Sequence, residues 1–584
     1  LPSLRRYLLV RLIFKLLMAI IILTFLFFLF CFFPDEPLGG PEQKKPLLYQ
    51  YVGYFVALLS GDWGRSALTQ RPVLDEILEG FPATLELSIS SLLVAFTLGL
   101  TLGVWSARKG WKGFDLLSEV DVLPVFWLGM LLQMALGVKA GILPVSGRVS
   151  PLMEPQHITG LYLIDSILTL SLASLWDAFR YIFLPSLTLG IGLSGVFYKL
   201  IKGGLLKTLK MDFIKALKAR GIPEDRIFYR HALKSALLSV LAKHNLIFAL
   251  LFSGVILIEV TFSWPGVGNL LVKRIVCKDF LAVQGILVFY TVLILIFGFT
   301  FDLIRVVIDP RVRCGEEGHL LELGSFPLTL RGLVKRKVST FVAMAILLVF
   351  LVLFALAPLI APYDPIASVG PLLSPPTRGF IMGTDHLGRD LFSRVVWGGR
   401  TALTVAFLSA LLSTSVGLAL ALISGLVGGV LGRIITTIMD SLYYLPALVL
   451  AIALALALGA GIGGVSLSIA IVHTPVYFRV TKERLEALGT LGASDWMTLR
   501  LYILKEVFPY LLAKLPSSLA DAILIKTALS FSGVGVSPLI ADWGADLYNA
   551  HSFILQDKWW MVLYPGLMVA LLTLGFKLLG EREG

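Results

Sequence analysis

Three cysteines and seven histidines in 584 residues leave little material for a disulfide framework or a metal centre. Cys31, Cys277 and Cys314 form no CxxC pair, and the histidines do not cluster at ligand spacing, so ordinary unpaired thiols and no metal site are expected. Charge is scarce as well. Only 15% of the residues are charged and 57% are hydrophobic, which excludes a water-soluble core. The sequence contains no GxxxxGK[ST] phosphate loop and no HExxH, and no Ser/His or paired-Asp arrangement recurs at suitable positions. Nothing between the apolar runs is large enough for an independent catalytic domain.

Apolar sequence is what abounds. Runs of about 20 residues, enough to cross ~30 Å of hydrocarbon, fall at 8–33, 84–106, 116–139, 181–200, 235–258 and 283–308, then at 339–361, 401–427, 433–458, 461–480, 513–534 and 561–580. They predict an all-α polytopic membrane protein with about twelve transmembrane helices. The first run is too long for a signal-peptide core and no small-residue cleavage site follows, so a retained helix is expected. The polar stretch 309–338 divides the chain into a first half (1–310), a linker (311–338) and a second half (339–584), each half with six spans.

The net charge of +12 follows membrane topology rather than a nucleic-acid footprint. Lys199, Lys202, Lys207, Lys210, Lys215, Lys218, Arg220, Arg226, Arg230 and Lys234 crowd one loop, whereas 34–83 carries Lys44, Lys45, Arg65 and Arg71 against seven acids. The positive-inside rule then puts the N-terminus, with Arg5, Arg6 and Arg11, and the basic loops in the cytoplasm.

One loop pattern occurs twice, as KALKARG (Lys215 to Gly221) and EALGTLG (Glu486 to Gly492), with the glycines 271 residues apart (492 − 221). TFSWPGVG (Thr261 to Gly268) and SFSGVGV (Ser530 to Val536) repeat at nearly the same offset, 269 (531 − 262). Internal repeats of this kind belong to transporters. In the first loop, helix-forming residues, a central Gly221 and then Ile222-Pro223-Glu224-Asp225 predict a short helix, a tight turn and a second helix.

These loops resemble the EAA coupling loop of permease subunits of ATP-binding-cassette importers, in the dipeptide, oligopeptide and nickel group. The resemblance covers almost the whole chain. GDWGRS (Gly61 to Ser66), PATLELS (Pro82 to Ser88), FWLG (Phe126 to Gly129), LPVSGR (Leu143 to Arg148), LPSLTLG (Leu184 to Gly190), IEVTFSWPGVG (Ile258 to Gly268) and DPRVR (Asp309 to Arg313) look like one permease subunit. APYDP (Ala361 to Pro365), MGTDHLGRDLFSR (Met382 to Arg394), LGASD (Leu491 to Asp495), ALSFSGVGV (Ala528 to Val536) and YPGL (Tyr564 to Leu567) look like its partner subunit.

The resemblance implies two subunits fused into one chain of type I importer fold. It also implies a pore for peptides with no catalytic residue or cofactor of its own, since Mg-ATP is bound by two separate cytoplasmic ATPase subunits. An extracytoplasmic binding protein delivers substrate, and the host is a prokaryotic cell membrane. Nickel or oligosaccharide is the alternative cargo. Coupling residues carried over are Lys215, Ala216, Gly221, Glu224 and Asp225 in the first loop (about 201–234), and Glu486, Ala487, Gly492 and Asp495 in the second (about 481–512). Lys215 departs from the family's acid, which Glu486 keeps. Lys234 and Lys505 stand where the family often has proline.

Glu259 and Lys526 fall at corresponding ends of fifth spans and are expected to form a charge pair at the pore or outer gate, beside Trp264 and Phe531. Asp62, Asp385 and Arg389 are candidate docking residues for the binding protein. Trp127, Trp264, Trp543, Trp559 and Trp560 suit an aromatic belt. Asp121, Asp302 and Asp440 are expected to bond to neighbouring helices or the interface, and His473 beside Pro475 to be structural. A proton-coupled secondary transporter is the rival class, but the paired loops have no purpose in it.

Overall fold

Proline and glycine punctuate the chain, and the helices lie between them. The computed structural model describes residues 4–31, 46–110, 123–308, 338–489, 505, 507–537 and 539–580. Helices α1 (Leu4–Cys31) and α2 (Leu47–Leu59) precede α3 (Val73–Lys109), which starts after Pro72 and stops at Gly110 in the left-handed region. Then come α4 (Val125–Leu132), continued as a π-helical turn to Lys139, α5 (Tyr162–Leu168) and α6 (Leu172–Leu209). A compact group follows: α7 (Asp212–Ala219), α8 (Glu224–Arg226), a π turn and α9 (Leu233–Ala242). The half closes with α10 (His244–Thr261), α11 (Val267–Val276) and α12 (Phe280–Ile308).

The second half holds α13 (Val338–Ala355), α14 (Ala357–Ile360), α15 (Leu391–Val427), α16 (Gly429–Tyr444), α17 (Ala447–Leu458) and α18 (Ile462–Gly489). It ends with α19 (Phe508–Phe531), α20 (Trp543–His551) and α21 (Trp559–Gly580). Among the described residues eight helices are long and apolar enough to cross a membrane, nine if α16 and α17, bent by 104°, count as one span. The bend falls at Pro446, which precedes α17. Three shorter apolar helices, Leu47–Leu59, Val125–Lys139 and Thr340–Ala355, accompany them. No strand occurs among the described residues, only isolated bridges such as Arg65 with Pro72.

Contacts group the chain into two compact units that do not simply follow chain order. One comprises Leu1–Ala19, Asp62–Lys273 and Val288–Glu322; the other comprises Ile20–Gly61, Arg274–Leu287 and Leu323–Gly584.

Each unit is built on one long pair of helices. In the first, α3 lies so close to α6 that a Cβ on Gly99 would stand 2.3 Å from Cβ of Phe197, and Tyr198 Oη donates to Ser106 Oγ at 3.0 Å. In the second, α15 meets α18 where a Cβ on Gly417 would come within 2.7 Å of Cβ of Tyr477. Small residues are required at both crossings because lipid supplies no hydrophobic drive, and close packing must bind the helices instead.

The helix α2 lies within the 34–83 stretch that the sequence presents as a loop. Tyr51 and Tyr54 turn toward the end of α1, with Thr24 Oγ1 and Tyr51 Oη 2.8 Å apart and Phe27 edge-on to Tyr51.

Candidate functional site

The first half encloses a buried carboxylate at the end of α10. Glu259 is fully buried and accepts from Thr84 Oγ1 at 2.6 Å and from the Asn269 N–H, in the first turn of α11, at 3.0 Å. Thr84 Oγ1 in turn accepts from the Val267 N–H at 2.8 Å. A helix N-terminus presents unpaired N–H groups and a partial positive charge, and here the preceding span supplies the acid that satisfies them. Glycine is needed for this approach. A Cβ on Gly266 would lie 2.1 Å from Glu259 Oε1, and one on Gly268 2.7 Å from the Ile256 Cα. Trp264 is also buried, and its indole N–H donates to the Ala83 carbonyl of α3 at 2.9 Å.

The second half reaches the same end with different residues. Lys526 of α19 is fully buried and its Nζ lies 2.6 Å from Oδ2 of Asp542, itself fully buried. Asp542 caps α20 by accepting from the Gly544 N–H at 2.8 Å and the Ala545 N–H at 3.3 Å, and it takes a further bond from Ser530 Oγ at 3.0 Å. Trp543 Nε1 donates to the Val395 carbonyl of α15 at 2.8 Å, as Trp264 does to α3. Phe531, the last residue of α19, is buried and edge-on to Tyr548.

The expected Glu259–Lys526 charge pair is thereby corrected: each residue has its own partner within its own half. Two buried charges need close partners, and the nearer acid from the following loop, Asp542, answers Lys526. The aromatic-belt expectation is corrected too, because Trp127, Trp264, Trp543 and Trp560 are buried. Trp559 is half-buried and packs edge-on to Trp560. An indole buried in a helix bundle needs an acceptor, and Trp560 Nε1 finds the Thr384 carbonyl at 3.1 Å.

The docking candidates divide. Asp62 is exposed and accepts from the Gly64 N–H at 3.1 Å. Asp385 and Arg389 are instead buried and bonded to each other, Nε to Oδ2 at 2.6 Å, with Asp385 also accepting from the N–H groups of Leu387 and Arg389. They hold the loop before α15 together rather than presenting a surface. Beside them Arg394 is held by Asp546, Nη2 to Oδ1 at 2.6 Å. The first half has a matching arrangement, with Arg148 Nη2 to Glu86 Oε2 at 2.6 Å and the Arg148 guanidinium 3.7 Å over the Tyr162 ring. These arginine clamps were not legible in the sequence, although Arg148 and Arg394 each close one of its motifs.

The loop between α4 and α6 is organised by Asp165. Burial pushes its carboxyl up, but hydrogen bonds from Thr159 Oγ1 and from the N–H groups of Thr159, Ile158 and Gly160 outweigh burial and hold it below the usual range. Because the folded group binds its proton more weakly than the unfolded one, its contribution is complete above about pH 4 and is lost as pH falls through the lower folded value. Hydrogen-exchange protection of Thr159 and Gly160, corrected for intrinsic rate, is therefore expected to collapse on acidification into that range. Asp165→Asn should weaken it at neutral pH and remove the acid transition.

At the first repeated loop, Lys215 and Ala216 lie exposed on α7, with Lys215 Nζ 2.8 Å from Asp212 Oδ1. Gly221 turns the chain at φ 73°, and Glu224 is exposed and meets Lys218 at 3.3 Å. Asp225 binds Arg108 at the end of α3 at 2.6 Å, and the same guanidinium donates to Tyr229 Oη at 2.7 Å. Buried Ile214, Ile227 and Phe228 seat the knob, so the predicted helix-turn-helix is formed. In the second loop Glu486 is exposed on α18, 3.5 Å from Lys482, and Ala487 lies on the same helix. Gly492 and Asp495 lie outside the described residues, as do Asp121 and Cys314. Asp440 pairs with Arg479 at 2.8 Å, and Asp302 pairs with Lys15 at 3.0 Å, as helix-to-helix bonds.

Repeated long helix pairs, buried polar pins at the ends of α10 and α19 and an exposed loop knob define a multi-pass helical membrane protein of the two-repeat transport class. The described residues contain no group of His, Cys, Asp and Glu able to hold a metal ion. Comparison makes the class specific. The family described as binding-protein-dependent transport system inner membrane component matches residues 95–313 and again 417–582, and the chain belongs to it.

The chain is similar over about half its length to each of several permeases. It is 36% identical over 283 residues to the di/tripeptide transport system permease protein DppB of Pseudomonas aeruginosa, covering 48% of this chain and 84% of that protein. It is 33% identical over 277 residues to the dipeptide transport system permease protein DppB of Escherichia coli K12, covering 46% and 82%. To the putrescine export system permease protein SapB of the same strain it is 30% identical over 310 residues, covering 51% and 95%. Two permeases are fused in this chain, which is a transport component of ATP-binding-cassette systems and not an enzyme.

Proposed function

We propose that the chain forms the translocation pore of an ATP-driven importer of short peptides, fed by an extracytoplasmic binding protein and driven by two ATPase subunits that carry Mg-ATP. In this assignment residues 1–310 and 339–584 are the two permease halves and 311–338 is a cytoplasmic linker. The N-terminus and both repeated loops face the cytoplasm of a prokaryotic cell. The peptide cargo is carried over from the relatives named for di- and tripeptides.

The observation that carries the coupling role is the knob around Gly221. It is a seated helix-turn-helix whose Lys215, Ala216, Gly221 and Glu224 are all exposed. Coupling by alternating access requires that a partner touch this knob differently in two states, and rigid seating transmits that difference to α3 through Asp225 and Arg108.

A Cβ on Gly221 would meet nothing within 4 Å, so a large side chain there obstructs a partner before it disturbs the fold, apart from ~1–2 kcal/mol of left-handed backbone strain. Co-expression with candidate ATPases, mild-detergent purification and intact-complex mass measurement are expected to find two ATPase copies. One copy should be lost with Gly221→Trp and the other with Gly492→Trp. A chain that never retains an ATPase would refute the assignment. ATP-dependent uptake, measured against uptake driven by a proton gradient, separates the importer from the secondary-transporter class.

A further inference from the structure

The helix α19 carries a polar stripe that none of the buried pins uses. Lys514, Ser517, Ser518 and Asp521 recur at spacings of three, four and seven, which puts them on one face of a helix. Asp521 stands at the middle of Phe508–Phe531, is only half-buried, and has no hydrogen bond or ion pair among the described residues. Lys514 lies seven residues away, about 10 Å along the axis, too far to neutralise it directly. His473 of α18 lies near enough to this stripe for the charges of Asp521 and Lys514 to act on it. It is 9% exposed, and its Nδ1 has no hydrogen-bond partner among the described residues.

At the corresponding positions the first half carries no ionisable residue. Counting back 269 residues, the offset between Phe262 and Phe531 (531 − 262), the stripe falls on Asn245, Phe248, Ala249 and Phe252. The second half has therefore placed an acid, two hydroxyls and a base on a membrane helix where the first half has an amide and three apolar residues. An ionisable group at mid-membrane depth that is neither paired nor fully buried marks a water-filled path or a ligand position.

We propose that Asp521, with His473 beside it, forms a subsite within the second half that receives the ammonium group of a peptide in transit. Lys514, of opposite sign and about 10 Å away, stands on the carboxylate side. A chain of two to three residues spans roughly 7 to 10 Å when extended, which suits that separation. The assignment of a peptide rests on the function proposed above; the existence of a water-lined cation site does not.

Two measurements on the full complex with its ATPases and binding protein, in proteoliposomes, test it. The first is ATP-dependent uptake of tritiated alanyl-alanine. Asp521→Asn is expected to lower the rate about tenfold, the scale of one lost charge-assisted hydrogen bond, while Asp521→Glu retains most of it and both variants keep the intact-complex mass.

The second places Asp521→Cys in a background with Cys31, Cys277 and Cys314 replaced by serine. A membrane-impermeant trimethylammonium thiosulfonate should modify it, and alanyl-alanine should slow the modification. Wild-type uptake with an unimpaired Asp521→Asn, or an Asp521→Cys that never reacts, overturns the subsite. A wild-type complex that takes up no peptide, with Asp521→Cys still reactive, overturns the peptide assignment and leaves the water-lined site standing.

Discussion

Glu259→Ala is expected to unfold the end of the first half where α10 meets α11. The substitution leaves the Asn269 N–H and the Thr84 hydroxyl buried without their acceptor. At about 1 to 3 kcal/mol for each stranded group, the loss is on the order of 4 kcal/mol, large against the margin by which a domain is stable. Glu259→Gln keeps the shape and one acceptor oxygen but turns an NH₂ toward one of the two donors, so roughly half that loss is expected.

Gly268→Ala approaches the same damage from the other side, because its Cβ would press on the Ile256 backbone and the Glu259 carboxylate together. Thermal unfolding of the purified chain, followed by the fluorescence of its tryptophans, measures all three. A Glu259→Ala variant within about 1 kcal/mol of wild type would show that the carboxylate pins nothing.

Lys526→Met and Asp542→Asn should each cost about 3 to 5 kcal/mol, because each leaves an uncompensated charge in a site with no access to water. The double variant should cost less than the sum, with a coupling energy of about 2 kcal/mol or more in a double-mutant cycle. Charge reversal makes the sharper test. Lys526→Glu puts two carboxylates in contact and should abolish assembly, and Asp542→Lys should rescue it. Glu259→Lys should not, since Glu259 is committed to Thr84 and Asn269 in the other half. Rescue by Glu259→Lys, or additive single costs, would overturn the Lys526–Asp542 assignment.

These two sites show where sequence reading stops. The spans were legible because a membrane helix is a local object, an apolar run of sufficient length, and α3, α6, α15 and α21 coincide with expected runs. The knob at Gly221 was legible because helix formers, a glycine and Ile-Pro-Glu-Asp impose their geometry on neighbours. The helix α2 was missed: 13 residues are too few for a span, and it is held by contacts to α1 rather than by its own pattern.

Partners are hidden from the sequence for the same reason. Thr84 and Glu259 lie 175 residues apart in the chain, and Trp543 and Val395 lie 148 apart. The two halves also changed residues while keeping the task. The acid that caps the following short helix comes from α10 itself in one half and from the loop after α19 in the other. The two indoles stand 279 residues apart (543 − 264), off the period of the other repeats. A repeat search that aligns glycines therefore pairs Glu259 with Lys526 and overlooks Asp542.

Apolar runs, charge bias and the duplicated loop motif by themselves determined that this is a helical membrane protein of two related permease halves, because each is a property of contiguous sequence. Only the tertiary structure decided which charges are spent on holding each half together. It gave Lys526 to Asp542, Arg389 to Asp385 and Arg148 to Glu86, and left Asp521 without a partner among the described residues. In a low-dielectric interior the fate of a charge is set by the few ångströms around it, and sequence distance carries no record of those.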